Sequence, residues 1–409
     1  MPVATVLAPR IRNFVAFSSG QGISAVGNWA QKAAVGWLVW QLTESAAWVG
    51  AIAMSDLIAA IWVAPLAGAV TDRSNPYRLL WITQVLMIVL TLGLWAVMSA
   101  GYLTIWFLLF WAILDATVSG FNQPVRMLAI GTLATPERMS QAIATNSIAA
   151  NLARSIGPAI SALVMIHAGV QYVFLLNALS FSAILGAMIY VRRWIDHSGL
   201  GSTSGSMLSD VMSGFSYVSR TPSIAVLLLF TTSFALLARP FTELYPALAG
   251  EIFKGGPQTL AMLMSAQGVG ALVGAGWMLR RRNLPALLAT SFLSAIGISM
   301  ALVGFALTSQ IFWGVVAMAF AGLFHVVCNI GMQSIVQTLS ARQMRGRVLA
   351  IYGLIFRSGP AIGAFVIGLS ASRYGLQWLV GAASATFGIL VLSSLPFARK
   401  VYADAEQGR

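Results

Sequence analysis

Twelve apolar runs of roughly 20 residues or more follow one another along this chain, separated by short polar stretches. A run of that length is what an α-helix needs to cross the ~30 Å hydrocarbon core of a bilayer. In lipid, every backbone N–H and C=O must be paired within the segment or in a closed barrel. Serial runs of this length therefore fold as a helix bundle. Composition agrees, since hydrophobic types make up 58% of the 409 residues and charged types 9%. A soluble chain carries roughly 25% charged residues and could not hide this much apolar surface. The expectation is an all-α membrane protein with spans near 14–40, 46–70, 79–100, 103–122, 140–167, 170–191, 221–249, 257–279, 286–308, 310–332, 346–372 and 375–396.

Basic residues give these spans an orientation. Eighteen of the 24 Lys and Arg fall at the termini or in the loops of one side, among them Arg73, Arg78, Arg138, Arg192, Arg193, Arg280, Arg281, Arg282, Arg342, Arg345 and Arg347. The other side has Lys254 and Arg373, and four more lie inside spans. Cytoplasmic loops carry the Lys/Arg excess, so both termini are expected in the cytoplasm. This asymmetry also accounts for the net charge of +13, which in a soluble chain would suggest nucleic acid. No nucleic-acid partner is expected. Cys328, the lone cysteine, lies in an apolar run and is read as a packed residue. No metal and no cofactor are expected.

The chain repeats itself. Arg154-Ser155-Ile156-Gly157-Pro158 returns as Arg357-Ser358-Gly359-Pro360, with one residue deleted. Gly169-Val170-Gln171-Tyr172 returns as Gly375-Leu376-Gln377-Trp378, and Thr132-Leu133 as Thr338-Leu339. Ala51 to Ser55 matches Ala261 to Ser265, so four matches keep the same order. With six spans in each half the repeat is parallel. The domain expectation is a six-helix bundle over 1–191, a cytoplasmic linker over 192–220, a second six-helix bundle over 221–396 and a tail over 397–409. In the linker a Gly/Ser run precedes Met207 to Arg220, where Leu208, Val211, Phe215 and Val218 recur at helical spacing. That pattern predicts an amphipathic interfacial helix.

Three local sequences resemble those of the major facilitator superfamily, one of them Arg345-Gly346-Arg347-Val348 leading into span 11. After span 2, Gly68-Ala69-Val70-Thr71-Asp72-Arg73-Ser74-Asn75-Pro76-Tyr77-Arg78-Leu79-Leu80 is similar to the superfamily pattern G-x-L-A-D-R-x-G-R-K-x-x-L. Gly68, Asp72, Arg73 and Leu80 match, whereas Asn75-Pro76-Tyr77 replaces the second glycine and the basic pair. Gly157-Pro158 in span 5 resembles the core of the superfamily's antiporter motif, with Ser161-Ala162 in place of the trailing glycines. Phe121-Asn122-Gln123-Pro124 and Asn177-Ala178-Leu179-Ser180-Phe181 bring the chain closest to the branch of enterobactin exporters and macrolide-efflux proteins. The resemblance implies twelve helices in two pseudo-symmetric bundles. It also implies a conformational latch at Gly68, Asp72, Arg73 and Arg78. Asp72 would accept hydrogen bonds at the positive start of a neighbouring helix, for which pseudo-symmetry offers the segment near Gly346.

Ionisable residues inside spans are costly, and they mark substrate and ion pathways. This chain has Lys32, Asp56, Asp115 and Arg154 in its first half, and Arg239, Glu243, His325 and Arg357 in its second. The repeat relates Lys32 to Arg239 and Arg154 to Arg357. Lys32 and Asp56 fall at similar depths on successive spans, which predicts an ion pair. Arg239 and Glu243 are spaced i, i+4, which predicts a second pair on one helix, with Pro240 kinking it. Asp115 falls near His325 in the repeat and sits nearer the cytoplasm than Arg154, a gap that only a long Arg side chain could bridge. Burial raises a carboxylate pKa and a nearby cation lowers it, so relative motion of the two can load or release a proton. Asp56, Asp115 and Glu243 are the candidate carriers. Four cations against three carboxylates favour an anionic, zwitterionic or large polar substrate.

The functional expectation is a secondary active transporter, specifically a proton-coupled exporter of small amphipathic or anionic molecules, siderophore-like or drug-like. It would work as a monomer among the lipids of a bacterial inner membrane. A lipid or lysophospholipid transporter is the alternative on the same fold. A passive channel or a membrane enzyme would be a different class. No P-loop, H-E-x-x-H or G-x-S-x-G occurs, so neither an ATP pump within this chain nor an enzyme is expected. Gly268, Gly270, Gly274 and Gly276 loosely imitate a dinucleotide loop, but inside a span they indicate close helix packing.

Overall fold

The computed structural model describes residues 3–133, 139–192, 207–278 and 284–407. These residues are helical almost throughout. The first half holds α1 (Val3–Thr43), α2 (Ala46–Ala53), α3 (Ser55–Arg73), α4 (Pro76–Ser99), α5 (Ile105–Leu133), α6 (Met139–His167) and α7 (Gln171–Val191). After the linker come α8 (Met207–Arg220), α9 (Pro222–Ser233), α10 (Tyr245–Ala247), α11 (Pro257–Met278), α12 (Leu284–Ala306), α13 (Ile311–Leu339), α14 (Arg345–Tyr374) and α15 (Leu376–Gln407).

Among the described residues, eight helices are long and apolar enough to cross a membrane, or nine if a bent pair counts as one span. The expected twelve are not reached on that measure. In α1 the reason is composition, since Gln21, Asn28, Gln31 and Lys32 dilute its apolar run.

Several expected spans change shape. The run 46–70 is broken at Met54, which separates α2 from α3. The fourth span continues to Leu133, so Phe121 to Pro124 lies within α5 and not at its end. The last helix runs to Gln407, well past residue 396. The run 221–249 is not one helix. After α9 the chain takes a π turn over Phe234–Ala238 and a 3-10 turn over Pro240–Thr242, then α10 and a second π turn over Leu248–Ile252. Pro240 has no N–H to continue an α-helix, and its ring clashes with the carbonyl four residues back. The break therefore falls where that residue stands. The linker helix forms as α8, and its axis turns by 111° into the segment that follows.

By contacts the chain divides into two compact units. The first comprises Met1–Leu42 and Ser55–Thr203, and the second comprises Thr43–Met54 and Ser204–Arg409. The hairpin tip that carries α2 thus belongs with the second unit. It packs on α14, where a Cβ at Gly50 would stand 2.7 Å from the Ala364 carbonyl and a Cβ at Gly368 2.9 Å from Ala47 Cα. Only glycine permits two backbones to come this near. The glycine run in α11 packs the same way. Gly270 and Gly274 lie against the Ala319 and Leu323 carbonyls of α13, and Gly322 lies against Gln267.

The first unit has a core of Phe17, Leu80, Val125, Ile130, Ile184 and Met188, drawn from α1, α4, α5 and α7. In the second unit Phe230, Phe234, Phe292 and Phe387 meet in tilted and edge-on contacts. Asn75 caps α4, its Oδ1 accepting from Arg78 N at 3.1 Å with Pro76 as the first helical residue. That arrangement satisfies one of the helix's open N–H groups.

Candidate functional site

The first unit builds its site on a polar seam. Gln31 of α1 is buried, and its Oε1 accepts from Thr91 Oγ1 of α4 at 3.2 Å and from Asn177 Nδ2 of α7 at 2.8 Å. Asn177 Oδ1 accepts from Ser180 Oγ at 2.9 Å, and the pair lies against Gly27, where a side chain would strike both. Buried amides of this kind are stable only when bonded, so the seam fixes the rotation of α1. That rotation sets the direction of the next residue, Lys32.

Lys32 Nζ donates to Asp56 Oδ2 at 2.8 Å and joins α1 to α3. Their side chains are 60% and 50% exposed. Charged groups at this depth do not face lipid, because the cost of burying them in hydrocarbon is several kcal/mol. The face they share therefore belongs to a polar, water-accessible side of the unit. Asp115 of α5 stands close enough that the charges acting on it are those of Asp56 and Lys32. Its Oδ1 is buried without a hydrogen-bond partner. Asp115 thus joins the Lys32–Asp56 pair.

Arg154 lies instead over the indole of Trp29, with Cζ 4.9 Å from the ring centroid. Lys32 Nζ is 5.8 Å from the same centroid. Both distances are within the range of a cation–π contact. Gly157, one turn beyond Arg154, brings α6 onto α1. A Cβ there would be 2.6 Å from Trp29 Cβ and 2.9 Å from both Ala30 N and the Val26 carbonyl. Pro158 is buried inside α6. The Gly-Pro motif is thereby the device that seats Arg154 beside Trp29.

The second unit uses a different chemistry at the related positions. Arg239 is buried, with Cζ 3.6 Å from the Phe356 ring centroid, and its Nη1 donates to the Phe356 carbonyl. Tyr352 stacks on Phe356 at 5.9 Å and 11°, and its hydroxyl donates to Asn329 Oδ1 at 2.9 Å. His325 is buried among Phe234, Phe241 and Phe356. Glu243 is exposed, so the expected Arg239–Glu243 pair does not form. The π and 3-10 turns between them remove the α-helical i, i+4 geometry on which that pair depended. Arg357 is exposed on α14. The position related to Asp56 is Ala266, so the second half has no carboxylate there.

Of the latch residues, Arg78 is exposed behind the Asn75 cap. Gly68, Asp72 and Arg73 lie outside the residues whose side chains are described. Gln31, Asn177 and Phe356 are the contributors that sequence reasoning did not assign, whereas the depth of Trp29 suits a pocket wall, the core or a lipid-facing role alike. For Trp29 the available signal was its i, i+3 spacing to Lys32.

The family described as transmembrane secretion effector matches residues 4–407. Among curated relatives, the staphyloferrin A transporter of Staphylococcus aureus is 22% identical over 387 residues, which is 93% of each chain. Macrolide efflux protein A of Streptococcus pyogenes is 22% identical, over 89% of this chain and 90% of its own. The enterobactin exporter EntS of Shigella flexneri is 26% identical, over 69% and 65% respectively. Among solved structures, the nucleoside transporter NupG superposes with a TM-score of 0.74 over 95% of this chain and 99% of its own at 13% identity. A bacterial homologue of the human lysosomal transporter Spinster gives 0.66 over 96% of each chain, also at 13% identity. With a match that spans nearly its whole length, the chain belongs to the transmembrane secretion effector family of the major facilitator superfamily.

Proposed function

We propose that this protein is a secondary active transporter that exports small amphipathic or anionic molecules in exchange for protons, by alternating access of its two halves. The observation that carries this reading is the Lys32–Asp56 ion pair with Asp115 beside it, exposed on a unit whose other surfaces suit lipid. A carboxylate whose cation can be drawn away by helix movement or by an anionic substrate is a site at which a proton replaces the cation. Relatives named for staphyloferrin, macrolides and enterobactin support export of compounds of this size and polarity. In this reading residues 1–191 and 221–396 form the two bundles, with 192–220 as linker and 397–409 as tail. The protein acts as a monomer in a bacterial inner membrane, with both termini in the cytoplasm.

Purified protein in sealed vesicles tests this. A pH gradient without ATP should drive accumulation of at least one compound from a panel of siderophores, macrolides and lysophospholipids. Flux that ignores the gradient would indicate a passive channel. Gradient-driven flux of lysophospholipids alone would select the lipid transporter.

A further inference from the structure

Among the charged residues that lie inside the first unit's spans, Lys32, Arg154 and Asp56 are exposed. Both cations lie within 6 Å of one ring, at 5.8 Å and 4.9 Å from the Trp29 centroid. They reach it from different helices, α1 and α6, held together at Gly157. The arrangement is specific to this half, because the position related to Trp29 is Leu236. A structural ion pair needs Lys32 and Asp56 alone, so it explains neither the second cation nor the indole that both cations approach.

We infer that Lys32, Arg154 and Trp29 form a subsite for a ligand carboxylate borne on a flat apolar body. The carboxylate lies between the ammonium and the guanidinium, and the apolar body rests against the indole. A guanidinium binds a carboxylate with two parallel N–H donors, and an ammonium adds a point charge, so the two cations are complementary and not redundant. Asp56 holds Lys32 at 2.8 Å when the subsite is empty and competes with the ligand for it. Substrate binding and release of the Asp56 carboxylate are then a single exchange at Lys32. The inference rests on the transporter reading for its purpose, but the binding chemistry stands without it.

The test is equilibrium binding to the full-length protein in detergent, using 2-naphthoate as probe, with its neutral amide and 2-naphthylmethylamine as controls. Naphthoate should bind at least about tenfold more tightly than either control, since charge-assisted hydrogen bonds outweigh neutral ones about twofold in strength. Arg154→Gln should weaken naphthoate by about tenfold and leave the amide unchanged, whereas Trp29→Leu should weaken acid and amide alike. Asp56→Asn should tighten naphthoate several-fold, because Lys32 loses its competitor. A purely structural role for the cluster predicts the reverse, since breaking the pair would loosen the unit. Equal binding of acid and amide, or weaker naphthoate binding by a folded Asp56→Asn protein, would overturn the subsite. Selective binding with no gradient-driven flux of any compound would leave the subsite standing and count against the transporter.

Discussion

The guanidinium of Arg239 stands 3.6 Å from the centroid of the Phe356 ring and donates to the carbonyl of the same residue. One side chain thereby fastens the broken seventh span to α14. Phe356→Leu removes the aromatic face while keeping the carbonyl, and should lower stability by about 1–2 kcal/mol, the range of a desolvated cation–π contact. Glu243→Gln should leave stability unchanged, because Glu243 is not the partner of Arg239. Thermal unfolding of the two variants in detergent checks both statements. Equal destabilisation would restore the i, i+4 pair.

Asp56→Asn should abolish accumulation driven by a pH gradient while still permitting downhill exchange, since the substrate path is intact. Reconstituted protein with and without the gradient gives the measurement. Full gradient-driven accumulation would shift the coupling role to Asp115.

Gly157→Leu would place a branched side chain where even a Cβ meets Trp29 and the Val26 carbonyl at under 3 Å. Overpacking of this kind costs roughly 1–3 kcal/mol. The expected outcome is a protein that still inserts, with a lower melting temperature and little transport, as α6 is forced off α1. Unchanged flux from a stable Gly157→Leu protein would show that the Arg154–Trp29 contact is dispensable.

The superfamily pattern around Asp72 makes a separate prediction. Asp72→Asn should insert and fold normally, yet slow transport by an order of magnitude or more, because the cytoplasmic latch loses its charge. Initial rates normalised to protein in the vesicle provide the check, and wild-type rates would remove Asp72 from the mechanism.

Much of this was legible in the sequence, for identifiable reasons. Hydrophobic length reports burial in lipid directly, so six of the twelve spans, such as 79–100 and 257–279, match their helices to within a few residues at both ends. Matched depth was enough to pair Lys32 with Asp56, because both distances count from the same short hairpin. The same arithmetic could not see the break at Met54 or the π turn at Phe234, since neither leaves a mark in hydrophobicity. The Arg239–Glu243 pair was misread because spacing implies a contact only while the helix stays regular, and Pro240 interrupts it. The depth of Trp29 in its span suits a pocket wall, the core or a lipid-facing role alike, and only the approach of α6 at Gly157 singles out the first.

Gly50 and Gly368 press α2 and α14 together although 318 positions separate them in the chain. A ribosome adding roughly 5–20 residues per second takes about 15–60 s to cover that distance. For that time the hairpin tip over 43–54 is already made while its packing partner does not yet exist. Its closure is therefore among the last events of biogenesis, and truncation before α14 leaves the tip without its dock. Nascent chains stalled between the two glycines should be the form that membrane quality control recognises and degrades.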